Sequence, residues 1–240
     1  MLRKMLFVVF IAAFTFAACG RQVTPNRVSS PSGLAAGFMQ VKFSAAQPLD
    51  FTNVQYVMMF NTMGSGGMPY TNGYLNNYAN YSFAIVVGGN GVQAQPQVWQ
   101  YVRQPGVGGG SIAVPTQIQY TAQQLIFSPL GTNQFAITFD RRLFNGINVG
   151  SPSPSPSPPA NIWYINWFTT NNAGQPIDAP GIGGPKDTSF TFPTSGTPGV
   201  DVTTSFDSQW TANAGWPQVS PQSAQIIAGE VINNGATPGP

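Results

Sequence analysis

The chain of 240 residues has no histidine, a single cysteine and charge on only 7% of its residues. Each shortage excludes some chemistry. Without imidazole there is no Ser-His-Asp or Cys-His relay, and the commonest metal ligand is missing. One thiol cannot close a disulfide within the chain, and transition-metal sites lose their usual donors. An average soluble domain is ~25% charged. Here Asn and Gln outnumber all charged residues by roughly two to one, so solubility rests on amides, hydroxyls and backbone. No basic patch is available to track a phosphate backbone, which sets nucleic acid aside as a partner. The glycine-rich run at 106–110 lacks the Lys-Ser/Thr pair of a phosphate-binding loop and reads as a plain loop. Nothing in the chain calls for a cofactor.

What is present is apolar material. Hydrophobic residues make up 42% of the chain and aromatics 12%, enough for a real core and unlike the composition of disordered chains. The length fits one large domain or two small ones.

The N-terminus carries the most specific signal. Arg3 and Lys4 precede an apolar run at 5–16, interrupted only by Thr15, and then come Ala17, Ala18, Cys19 and Gly20. A positive start, a short apolar core and a small-residue cleavage site define a secretory signal peptide. The apolar run is shorter than the ~20 residues that span a bilayer. The segment Phe16-Ala17-Ala18-Cys19 resembles the lipobox of bacterial lipoproteins. The resemblance covers residues 1 to about 20 and implies diacylglycerol on the Cys19 thiol, cleavage just before it and acylation of the new amine. It also implies a membrane partner through that lipid, a cell-envelope location and, from Gly20, the outer membrane where the cell has two. Lipidation accounts for a lone cysteine in an exported chain, and several acyl chains on one residue exceed what stable anchoring needs. Cleavage removes Arg3 and Lys4, leaving seven Lys plus Arg against seven Asp plus Glu, so the mature chain is neutral.

Residues 1–18 are thus expected to be a lipoprotein signal peptide. Residues 19–33, rich in Pro, Ser, Thr and Gly, are expected to be a lipidated flexible tether, with the folded domain over 34–235. From Phe38 onward the pattern turns to period two. Met39, Val41 and Phe43 alternate with Gln40, Lys42 and Ser44, which is a strand signature. Runs at 54–60 and 81–87 are apolar on both faces, as central strands are. Asn90-Gly91 is a hairpin signal leading to an aromatic strand at 97–103. Further strands are expected around Leu125 and Phe127, over Phe135, Ile137 and Phe139, at 162–168, and at 189–192, where Pro193 ends the strand or marks an edge. Segment 220–234 fits two patterns. Ser220-Pro221 and the spacing of Ala224, Ile227, Ala228 and Val231 suit a helix, whereas Ile226-Ile227 and Gly229 suit a buried strand, which is the preferred reading. The run SPSPSPSPP at 151–159 reads as an exposed extended loop within one domain. Many short strands without long amphipathic helices predict an all-β, single sandwich-like domain, Ig-like or jelly-roll-like.

Two candidate sites follow. Tyr70, Tyr74 and Tyr78 lie among asparagines in a long loop at 61–80, and Trp99 and Tyr101 share one face of a nearby strand. Aromatic faces stack on sugar rings and amides bind hydroxyls, a combination loosely similar to β-sandwich carbohydrate-binding modules. The alternative role for these rings is packing of the loop onto the sheet, with hydroxyls at the rim. The second candidate is a carboxylate pair of the glycosidase kind, drawn from Asp50, Asp140, Asp178, Asp187, Asp201, Asp207 and Glu230. Asp140, before Arg141 and Arg142, also reads as a solvated strand end. Asp201 and Asp207 flank a loop-like Thr-Thr-Ser stretch, with no EF-hand or Gly-Asp repeat to make it a calcium loop. The expected function is a membrane-anchored, non-catalytic binding or structural module, with a glycan or an envelope protein as partner. An envelope glycan-active enzyme using two carboxylates is the alternative.

Overall fold

The computed structural model describes residues 22–29, 33–35, 37–62, 81–89, 94–105, 111–144, 162–179, 190–193, 201–207 and 220–234. Among them are thirteen strands: β1 (Gln22–Ser29), β2 (Phe38–Ala45), β3 (Val54–Asn61), β4 (Phe83–Gly88), β5 (Pro96–Pro105), β6 (Ser111–Ile118), β7 (Leu125–Pro129), β8 (Gln134–Asp140), β9 (Ile162–Asn171), β10 (Pro176–Asp178), β11 (Phe190–Pro193), β12 (Asp201–Asp207) and β13 (Ile226–Asn234). They form two antiparallel sheets packed face to face. Sheet A runs β1-β12-β13-β2-β8-β7. Sheet B runs β10-β9-β3-β4-β5-β6, with β11 also on β9. The expected all-β sandwich is what the chain forms.

The period-two pattern explains the core. Met39, Val41 and Phe43 of β2 face Phe139, Ile137 and Phe135 of β8 in register, and all six are fully buried. Sheet B answers with Tyr56, Met58 and Phe60 of β3, Ile85 and Val87 of β4, and Trp163, Ile165 and Trp167 of β9. The rings interlock: Phe43 stacks on Phe135 with centroids 5.4 Å apart and meets Tyr56 edge-on at 5.2 Å. Buried aromatic pairs of this kind contribute ~0.5–1.5 kcal/mol each beyond their buried area. As its two apolar faces suggested, β3 lies inside sheet B, between β9 and β4. Consecutive β4 and β5 pair as the hairpin signal implied. Gly88, the last residue of β4, adopts φ +92°, and a Cβ there would come within 2.5 Å of the Val54 carbonyl. Only glycine fits that corner.

Several segments depart from the sequence reading. Residues 22–29, expected as tether, form β1 on the edge of sheet A, paired with β12. Composition concealed this strand. Pro25 falls within the register break between Thr24 and Arg27, and an edge bulge is where a sheet tolerates proline. Residues 201–207, expected as loop, form β12, held between β1 and β13. β6 was not anticipated either, because Pro115 interrupts its pattern. It too is an edge strand, so the missing amide costs no ladder bond.

Segment 220–234 becomes a 3-10 turn over Gln222–Ala224 followed by β13. Sheet B blocks the helix by taking its backbone partners. Tyr56 donates its hydroxyl to the Ser223 carbonyl at 3.0 Å, and Thr169 donates to the Ala224 carbonyl at 2.6 Å. The Ile226 amide donates to Asp178 Oδ2 at 2.7 Å. A continuing helix would need those same groups. The 151–159 run and most of the 61–80 loop lie outside the described residues.

Candidate functional site

The face of sheet B turned away from the core is itself apolar. Val57 and Met59 of β3 alternate with its core residues and join Ala84, Phe168, Tyr81 and Ala179 in a second buried cluster. Trp99 and Tyr101, two apart on β5, pack half-buried against this cluster together with Val86. Of the five aromatics singled out in the sequence, these two are thus brought to one face. Tyr70, Tyr74 and Tyr78 lie outside the described residues.

Ladder pairing places a further residue on the same face. Asn166 of β9 lies opposite Met59, Met59 opposite Ala84, and Ala84 opposite Trp99. The row Asn166-Met59-Ala84-Trp99 therefore crosses four strands, three spacings or ~14 Å. Asn166 is only 1% exposed, and neither its Nδ2 nor its Oδ1 has a hydrogen-bond partner. A buried amide in that condition costs ~1–3 kcal/mol. Sequence reading overlooked it because Asn166 sits among aromatic and β-branched residues that only advertise a strand. The available signal was period two: Tyr164, Asn166 and Phe168 share the face opposite Trp163, Ile165 and Trp167.

Four of the acids are occupied elsewhere. Asp50 accepts the Thr52 and Asn53 amides at 3.1 Å and the Asn53 side chain at 2.9 Å, and this last bond leads in holding its carboxyl below the usual range. Burial pushes Asp140 up, but Arg142 more than offsets it and leaves the carboxyl below its ordinary value. The guanidinium bonds both oxygens, at 2.6 Å and 2.9 Å to Oδ2 and 3.1 Å to Oδ1, and the Arg142 amide adds a bond at 2.9 Å. Neighbouring Arg141 is buried and donates to the Gly37 carbonyl. Asp178, 2% exposed, holds the Ile226 amide. Glu230 pairs with Lys42 across the β13–β2 ladder at 2.5 Å. β12 carries Asp201 and Asp207 at its two ends, ~20 Å apart at the strand rise, too far to share a cation or a glycosidic bond. Asp187 lies outside the described residues. Among the described residues no three acids, cysteines or histidines gather into a metal site, and no helix is long and apolar enough to cross a membrane.

No family model, curated protein or solved structure matches this chain.

Proposed function

We propose that the chain is an envelope lipoprotein, held to the membrane by lipid on Cys19, whose sandwich is a non-catalytic module that binds a glycan on the outer face of sheet B. In a cell with two membranes its place is the outer one. The observation that carries the binding reading is the Asn166 amide, buried without a partner on the face that holds Trp99 and Tyr101. A ligand that hydrogen-bonds this amide relieves a standing desolvation cost. Half-buried Trp99 and Tyr101, on the same face and ~14 Å away, offer stacking surface. The glycan-active-enzyme alternative draws no support from Asp50, Asp140, Asp178 and Glu230, each of which is engaged in its own structural contact.

The test is a titration of the full-length protein in detergent with envelope and plant polysaccharides, followed by tryptophan fluorescence. The expected result is a saturable change that Trp99→Ala reduces at least several-fold. If every glycan is silent, or Trp99→Ala responds like the parent, the ligand is not a glycan on this face and an envelope protein takes its place.

A further inference from the structure

The geometry points to the end of the sandwich that begins with Gln22 as a membrane-facing surface. This inference rests on the lipid anchor at Cys19. The anchor and the first residue of β1 are three positions apart. Three residues reach at most ~10 Å, whereas the tether expected from composition would have let the domain roam. With β1 paired into sheet A, the lipid is tied closely to the edge of a rigid sheet.

Register shows what shares that end. Gln22 lies opposite Asp207, Asp207 opposite Ala228, Ala228 opposite Ser44, and Ser44 opposite Gln134. The β7–β8 turn, which joins Pro129 to Gln134, is therefore at the anchored end. Its tip carries Leu130, 49% exposed; the other two large apolar side chains open to solvent among the described residues, Ile126 and Ile162, lie toward the opposite end. Leu130 lies across five strand spacings from β1, ~24 Å away. The lipid at one edge and an exposed leucine at the other give the end two separated points of contact with a bilayer. The β9–β10 turn sits at this end as well, fastened to the loop before β3 by Asn172 donating to the Thr52 carbonyl at 3.0 Å. Asp140, which closes β8, and Arg141 and Arg142 just past it lie at the opposite end. The strands then stand up from the membrane, with that charged end ~20 Å farther out at the strand rise. The outer face of sheet B looks sideways, along the membrane plane.

Lipid on Cys19 leaves an introduced cysteine as the only thiol, which makes the test direct. Thr132→Cys at the anchored end and Ala35→Cys at the far end are both exposed. Each full-length lipidated protein is labelled with an environment-sensitive fluorophore and reconstituted in phosphatidylethanolamine–phosphatidylglycerol vesicles containing a headgroup-nitroxide lipid. The expected result is quenching at Thr132→Cys at least twofold stronger than at Ala35→Cys. The difference should collapse when an about 15-residue Gly-Ser linker is inserted after Gly20, because a flexible spacer lets the domain turn freely. Equal quenching at the two positions, in protein whose intact mass shows the lipid, overturns the orientation and leaves the anchor standing. A free Cys19 thiol in the same mass spectrum overturns the anchor, and the orientation with it.

Discussion

Asn166 separates stability from function more sharply than any other described residue. Replacing an unpartnered buried amide with an apolar side chain of similar volume removes a desolvation cost. Asn166→Leu should therefore raise stability by ~1 kcal/mol, read as a shift in the urea midpoint at constant slope. In the same variant the glycan response should be lost. Higher stability with undiminished binding would show that the amide serves no ligand. Asp140 makes the opposite kind of case. Its folded-state pKa lies below the unfolded value because Arg142 bonds outweigh burial. Its contribution is therefore full above the ordinary carboxylate pKa of ~3.9 and is lost as pH falls through the folded value. Asp140→Asn should cost ~1–2 kcal/mol at neutral pH, the guanidinium side being exposed. It should also flatten the decline in stability below pH ~4, and an unchanged acid limb in urea melts would contradict this assignment. At this scale the sequence marked Trp99 and Tyr101 correctly as sharing a face. It could not mark Asp178, whose role depends on Ile226, 48 positions away.

At the scale of elements, legibility followed burial. Strands with one face in the core declared themselves through alternation, as β2 and β8 did, and β3 declared itself by being apolar on both sides. Two of the edge strands, β1 and β6, did not, although β7, also at an edge, did. β1 and β6 contain proline, and the composition that suggests a tether or a loop is also what an edge tolerates. β12 hid because Thr-Thr-Ser looks like loop chemistry until β1 and β13 are known to flank it. The helical option for 220–234 could be closed only by groups distant in sequence, namely Tyr56, Thr169 and Asp178. The Ser-Pro run belongs at this scale too. Loop length costs stability only slowly, and extended Pro-rich loops bury little. Deleting residues 153–158 should thus shift stability by less than ~0.5 kcal/mol in urea melts. A loss above ~2 kcal/mol would mean that the run is docked on the sandwich.

The molecule as a whole combines a charge-poor, amide-rich composition with two apolar layers, one between the sheets and one on the outside of sheet B. Neither layer needs a disulfide or a metal. With charge so scarce, the proposed attachment to a membrane rests on lipid at Cys19, in the lipobox-like segment Phe16-Ala17-Ala18-Cys19. That claim is tested most directly by the mass of the mature N-terminal peptide, taken from protein expressed in a bacterium and recovered with the membranes. The account predicts a peptide beginning at Cys19 and carrying diacylglycerol plus an amide-linked acyl chain, with Cys19→Ser failing to yield it. A chain that still begins at Met1, or a Cys19 with its thiol free, would contradict the account at its root.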